Sequence, residues 1–245
     1  SSAPAQIGVA LVDLLDAPNG IRDRQLIYGD PVTVLGAQDG HSYVRADRDG
    51  YIGFVPTAAL AEATQPTHRI IARASHAYER ADMKSPDRVA LSFGSRLTAL
   101  SETPKFIETA AGFIPKQHIA PEGQWHDDPA AIAALFLGTP YLWGGNSGTG
   151  IDCSGLVQAA CLACNIPCDG DSDQQARNLG TTLPEGTPPQ RNDLFFWKGH
   201  VALVYDANTL IHANAHHMAT TFEPISDALA RIEQSDGGRT AHKRL

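Results

Sequence analysis

Apolar and polar positions alternate through the first half of the chain. Residues 25–30 lead into 31–35, and 42–46 and 51–56 follow, with turns at Asp39-Gly40 and Asp49-Gly50. Short alternating runs separated by Asp-Gly predict tight hairpins, and a succession of them predicts a small barrel. The pattern recurs at residues 92–100, 105–109 and 111–115, the last parallel to residues 50–56. Two diverged copies of one barrel, residues 1–63 and 64–121, are the simplest account, with residues 62–67 as the linker.

Beyond residue 122 the period changes. Asp128 before Pro129 marks a helix start, with Asp128 as the cap, and Gly138 marks its end near residue 137. Leu156, Val157, Ala160 and Cys161 recur at helical spacing and predict a helix over 153–163. A loop through Asp171, Ser172 and Asp173 and a proline-rich stretch at 184–189 precede strands at 194–197, 200–205 and 209–214. A helix packed on a small antiparallel sheet is an α+β, papain-like layout.

Composition narrows the partners. A chain of 245 residues holds one large domain or two to three small ones. A net charge of -8 argues against nucleic acid or anionic membrane as the main partner. No apolar run approaches the roughly 18–20 residues that span a bilayer. No basic-then-apolar leader precedes Ser1-Ser2-Ala3-Pro4-Ala5, although that segment also suits the end left by cleavage. The four cysteines, at 153, 161, 164 and 168, crowd into one short segment, which does not suit a disulfide framework. Cys161-x-x-Cys164 has ligand-like spacing, but it sits in an apolar helix without a second pair, so packing is favoured over zinc. No metal or other cofactor is expected.

One stretch carries chemistry. Tyr141-Leu142-Trp143-Gly144-Gly145 and Gly150-Ile151-Asp152-Cys153-Ser154-Gly155 place a thiol behind a glycine-rich loop at a helix N-terminus. Unpaired N–H groups and the positive dipole end lower the pKa of a thiol there, and a nearby imidazolium lowers it further. His200 and His212 lie on adjacent strands joined around Asp206-Ala207-Asn208. A three-residue loop would set His212 opposite Ala202, with His200 diagonal on the same face and about 7–8 Å away. A two- or four-residue loop would put the two imidazoles on opposite faces. In the first geometry His200 is the base for Cys153 and His212 orients it. Core packing is the competing role for Tyr141 and above all for Trp143, and His216 and His217 read as loop residues.

Taken together, these motifs resemble the NlpC/P60 cysteine peptidases over residues 122–245. Asp171-Ser172-Asp173-Gln174-Gln175, Asp193-Leu194-Phe195-Phe196, Gly199-His200-Val201-Ala202 and Ile211-His212-Ala213 complete the match. The barrels resemble bacterial SH3-like (SH3b) domains. The resemblance implies hydrolysis of murein peptides between γ-D-glutamate and a diamino acid. It implies Cys153 as nucleophile, His200 as base and His212 as third member, with Tyr141 helping to hold the oxyanion. In SH3b-containing relatives a barrel tyrosine and the acid before the nucleophile read a free N-terminal L-alanine, and Tyr51 and Asp152 match them. Ser154, Asp171 and Ser172 match other substrate-lining positions. An arginine expected before the Asp171-Ser172 pair is Gly170 here, and Asp16 and Asp23 both fit poorly as a further barrel acid. The expectation is a monomer recycling murein peptides in the cytoplasm. The rival readings are an exported wall hydrolase and a non-catalytic wall-binding protein.

Overall fold

A computed structural model describes residues 2–245, which fall into two compact units. The first runs to Gln124 and includes Asn146–Gly148. It opens with β1 (Ala3–Ile7), β2 (Leu11–Leu15), β3 (Arg22–Ile27), β4 (Pro31–Gln38), β5 (His41–Ala46), β6 (Ile52–Pro56) and β7 (Leu60–Glu62). These make one sheet of order β3-β2-β6-β5-β4-β1-β7, closed over a core that includes Ile7, Leu14, Leu26, Val32, Val44 and Val55. At the β4–β5 hairpin Gln38 pairs with His41, and Asp39 and Gly40 both have positive φ, 49° and 76°. That is the mirror-image turn that Asp-Gly favours, because its twist suits the strands. The Asp49-Gly50 corner is wider. Ala46 takes the Tyr51 carbonyl, and only Gly50 has positive φ.

Residues 68–121 carry β8 (His68–Ile70), β9 (Ala74–Tyr78), β10 (Asp87–Ser92), β11 (Arg96–Leu97), β12 (Ala99–Glu102), β13 (Phe106–Thr109), β14 (Gly112–Pro115) and β15 (Ile119–Pro121). They form two sheets, β10-β9-β14-β13-β12 and β11-β8-β15, around a separate core that includes Ile70, Leu91, Leu97 and Ile114. Both halves of this unit end alike. A strand finishing in proline, Pro56 or Pro115, enters one 3-10 turn and then a three-residue strand.

The second unit comprises residues 125–145 and 149–245. Its first helix, α1 (Pro129–Ala134), is shorter than the pattern predicted, and Asp128 does not cap it with its side chain. Arg191 captures that carboxylate instead, with Nη2 at 2.7 Å and Nε at 3.0 Å from Oδ2. The Ala130 N–H donates to Asn192 Oδ1 at 2.8 Å, so a distant loop supplies the cap. The short strand β16 (Asn146–Ser147) falls in the stretch that belongs to the first unit, and β17 (Gly150–Ile151) precedes α2 (Cys153–Ala163), which matches the predicted helix. Ser172, expected in a loop, opens α3 (Ser172–Asn178).

The sheet of this unit is built from β18 (Thr181–Thr182), β19 (Asp193–Trp197), β20 (His200–Asp206), β21 (Thr209–Asn214), β22 (Ala219–Pro224) and β23 (Ala241–Arg244). Its order is β18-β23-β19-β20-β21-β22, and the strands pair antiparallel. On one face Phe195, Trp197, Ala202, Val204 and Leu210 form a core with Ala228 and Ile232 of α4 (Ile225–Asp236). Helices α1 and α2 also pack against β20 and β21. With both faces covered, β19 and the middle of β20 read as unbroken apolar runs rather than alternating ones.

Asp193 ties the sheet together. Its fully buried carboxylate accepts from Arg244 Nε (2.8 Å) and Nη2 (2.9 Å), His242 Nε2 (2.7 Å) and the Gln190 N–H (2.9 Å). Asp193→Ala is expected to destabilise the protein by about 3 kcal/mol or more, because it strands buried donors. Urea unfolding measures it, and an unchanged midpoint would contradict this account.

Candidate active site

Cys153 is the first residue of α2, and Asp152 caps the helix. Asp152 Oδ1 accepts from the Gly155 N–H at 2.7 Å and the Ser154 hydroxyl at 3.2 Å. Its Oδ2 accepts from the Gly144 N–H at 2.9 Å. The buried carboxylate therefore joins the glycine loop to the helix start. The loop needs glycine there. A Cβ on Gly145 would lie 2.6 Å from the Gly150 carbonyl oxygen, so the chain doubles back on itself only without a side chain. Tyr141 is held at the mouth of this loop by a parallel bridge to Ile151 and by its N–H on the Met218 carbonyl, 3.0 Å. Burial, then the charges of Cys153 and Asp152, push the Tyr141 phenol well above its usual range. It stays a donor at neutral pH.

The two histidines do share a face, by a route the pattern did not anticipate. Leu203 pairs with Ile211 and Val204 with Leu210, but Asp206 pairs with Thr209. The turn thus has two residues, Ala207 and Asn208, and the odd residue is Tyr205, bulged out of the ladder. A bulge adds one residue to one strand and so restores the parity that an even turn would break. His200 Nε2 lies 2.8 Å from His212 Nδ1. The Trp197 ring sits beside His200 with centroids 5.7 Å apart. Burial, then the neighbouring His212 and Arg231, push the His200 pKa down to about 3, so the imidazole is neutral at pH 7. Burial also lowers that of His212, despite an opposing carboxylate.

That carboxylate, Glu223, was absent from the sequence reading. Leu210 pairs with Glu223 across β21 and β22, which puts Glu223 on the histidine face, and its Oε2 meets His212 Nε2 at 2.8 Å. Arg231 on α4 pairs with Glu223 in turn. The signal was present in the sequence, as Ile225, Ala228, Leu229 and Ile232 at helical spacing, with a strand before them.

Beside His200 lies an open groove of about 530 Å³, lined among others by Tyr141, Trp143, Lys198, His216 and Asp236. Trp143, expected in the core, is 70% exposed. It belongs to the glycine loop, where no layer of structure covers it. His216 and His217 do lie in a turn, as expected, and His216 faces the groove. The remaining site candidates lie elsewhere. Ser154 is buried, with its carbonyl on Gln175 Nε2 at 2.9 Å. Asp171 and Ser172 start α3 and are half-buried. Tyr51, in the first unit, packs against the barrel core. All four cysteines are free thiols, and burial pushes Cys164 up to about 11.

Residues 138–230 match the family model described as NlpC/P60 family. That segment is an NlpC/P60 domain. The match takes in the glycine loop, Cys153, both histidines and Glu223. Residues 14–60 match a bacterial dipeptidyl-peptidase Sh3 domain. The chain is 29% identical over 215 residues to a gamma-D-glutamyl-L-lysine dipeptidyl-peptidase of Bacillus subtilis, covering 77% of this chain and 71% of that protein. It is 32% identical over 106 residues to a dipeptidyl-peptidase 6 of Lysinibacillus sphaericus, with 40% of this chain covered. That match spans 36% of the relative's length, and a 32% match to a Bacillus cereus protein named as the B. subtilis one spans 35%. A crystal structure of an NlpC/P60 family protein from Bacillus cereus shares the fold, with a TM-score of 0.84 at 22% identity over 99% of both chains.

Proposed function

We propose that this NlpC/P60 protein is a cysteine endopeptidase that cleaves murein peptides between γ-D-glutamate and a diamino acid. Its preferred substrates are short peptides with a free N-terminal L-alanine, as in murein-peptide recycling. One observation carries the reading. A neutral, half-buried His200 is held by His212 at 2.8 Å, on strands against which the Cys153 helix packs. Names of the relatives support the bond and the dipeptide product.

In this reading His200 takes the Cys153 proton and the thiolate attacks the γ-carbonyl carbon. The tetrahedral oxyanion is held by the Tyr141 hydroxyl and the Cys153 N–H. Collapse breaks the C–N bond, and His200 protonates the leaving amine. Water, deprotonated by His200, then hydrolyses the thioester and restores the thiol. The groove beside His200 carries both charges, Lys198 and Asp236, which suits a zwitterionic diamino acid. Asp152 reads the free amine, and Ser154, Asp171 and Ser172 support that end of the peptide; Tyr51, in the first of two SH3-like barrels, is the second candidate for the amine. Asp152 already serves three donors within its own unit, so in this role it both builds the site and reads the substrate.

The test is release of diaminopimelate from L-Ala-γ-D-Glu-meso-diaminopimelate. Acetylating the alanine nitrogen removes a charge-assisted hydrogen bond of about 1.5–3 kcal/mol, so kcat/KM is expected to fall by roughly 10- to 100-fold. Equal cleavage of the acetylated and free peptides would remove the amine-reading role of Asp152 and Tyr51. No cleavage of either would remove the peptidase reading.

A further inference from the structure

The hydrogen-bond line that starts at His200 does not end at His212. His212 Nε2 meets Glu223 Oε2 at 2.8 Å, and the two side chains are 0% and 8% exposed. Glu223 also accepts from Arg231, with Nε on Oε1 at 2.9 Å and Nη2 on Oε2 at 2.8 Å. We propose that Glu223 is a positioning residue that acts through His212 to leave His200 Nδ1 as the base, with Arg231 holding Glu223 as a carboxylate. This rests on the peptidase reading above.

The argument is one of donors and acceptors. A carboxylate only accepts, so His212 Nε2 carries hydrogen. In neutral His212 the other nitrogen, Nδ1, is then bare and can only accept. The 2.8 Å contact therefore requires His200 Nε2–H as donor. Neutral His200 is left with a bare Nδ1, the one nitrogen available to a thiol proton. The reverse pattern, His212 Nδ1–H donating to His200, would put hydrogen on His200 Nδ1 and block it. Without a carboxylate at position 223 nothing selects between the two.

The proton count closes. When Nδ1 takes the Cys153 proton, His200 becomes an imidazolium that still donates from Nε2. His212 stays neutral and Glu223 stays ionised. The same proton then leaves from Nδ1 to the amine nitrogen. Burial alone would raise the Glu223 pKa, but hydrogen bonds from Arg231 and His212 outweigh it and hold the carboxyl below its usual range. Arg231 and His217 also act on His212, and Cys153 on Tyr141. Lys198, His216 and Asp236 line the groove next to His200. Of these groups only Arg231 changes in the comparison below.

Nitrogen-15 NMR of the substrate-free protein at pH 7 reads the tautomers directly. The expected pattern is hydrogen on Nε2 of both His200 and His212, and a mixed or reversed pattern in Glu223→Gln. Hydrogen on His200 Nδ1 in the wild type would overturn the proposal whether or not any peptide is cleaved. In turnover, Glu223→Gln is expected to lower kcat roughly 100-fold with KM within about twofold, and Glu223→Asp to recover part of the loss. The acidic limb of kcat should move down in pH in Glu223→Gln, which removes an anion, and up in Arg231→Gln, which removes a cation. Shifts in the same direction, or a Glu223→Gln kcat within about twofold of wild type, would also overturn it. A wild type that cleaves nothing would sink the peptidase reading and leave the tautomer pattern to decide on Glu223.

Discussion

On the proposed mechanism, Cys153→Ala is expected to lower kcat/KM for L-Ala-γ-D-Glu-diamino acid by about 10⁴-fold or more, because it deletes the atom that would form the thioester. The loss should be chemical rather than structural. Asp152 caps α2 with its own side chain and keeps the Gly155 and Gly144 N–H groups in the variant. The other cysteines offer no substitute. Cys161 and Cys168 are buried, and the Cys164 thiol, pushed up to about 11 by burial, stays protonated at neutral pH. Product release by chromatography gives the rate, and an unchanged melting temperature shows that the fold is intact. Turnover equal to wild type would move the nucleophile to another residue.

On the same mechanism, replacing His200 by glutamine is expected to cost about 10³- to 10⁴-fold in kcat, since neither the thiol nor the leaving amine would then have a proton partner. The same substitution has a signature in stability. An unfolded imidazole binds its proton below about pH 6.5, whereas folded His200 does so only near 3. Between those values the unfolded state holds the extra proton, so stability is lost as pH falls from about 6.5 toward 3. Folded His200 contributes fully only above that window. Melting temperature against pH should therefore fall less steeply in His200→Gln than in the wild type across this range. Parallel curves would mean that His200 titrates at its ordinary value in the fold, which would contradict the lowered pKa.

Much of the site could be read along the chain because its causes are local. The thiol helix begins and ends where spacing predicted, and the Asp39-Gly40 turn takes the conformation that its residues prefer. Asp128 shows where local reasoning stops. Its place before Pro129 suits a cap, but Arg191, 63 residues away, forms a bidentate pair with it, and Asn192 takes over the helix N–H. Trp143 shows the converse. Hydrophobicity predicted burial, yet the turns that bring Gly144 to Asp152 leave the indole on the outside.

The chain's own residues determined the chemistry on offer: a thiol on a helix N-terminus, two imidazoles on neighbouring strands and glycines where the backbone must close on itself. Each follows from interactions within a few residues. Whether those groups could work together was a question of parity, and parity is a tertiary property. One bulged residue, Tyr205, decides that His200 and His212 share a face. The pairing of β21 with β22 and the packing of α4 decide that Glu223 and Arg231 complete the line. A side chain's face depends on the register of every residue before it in the ladder, and register is settled only when the strands meet.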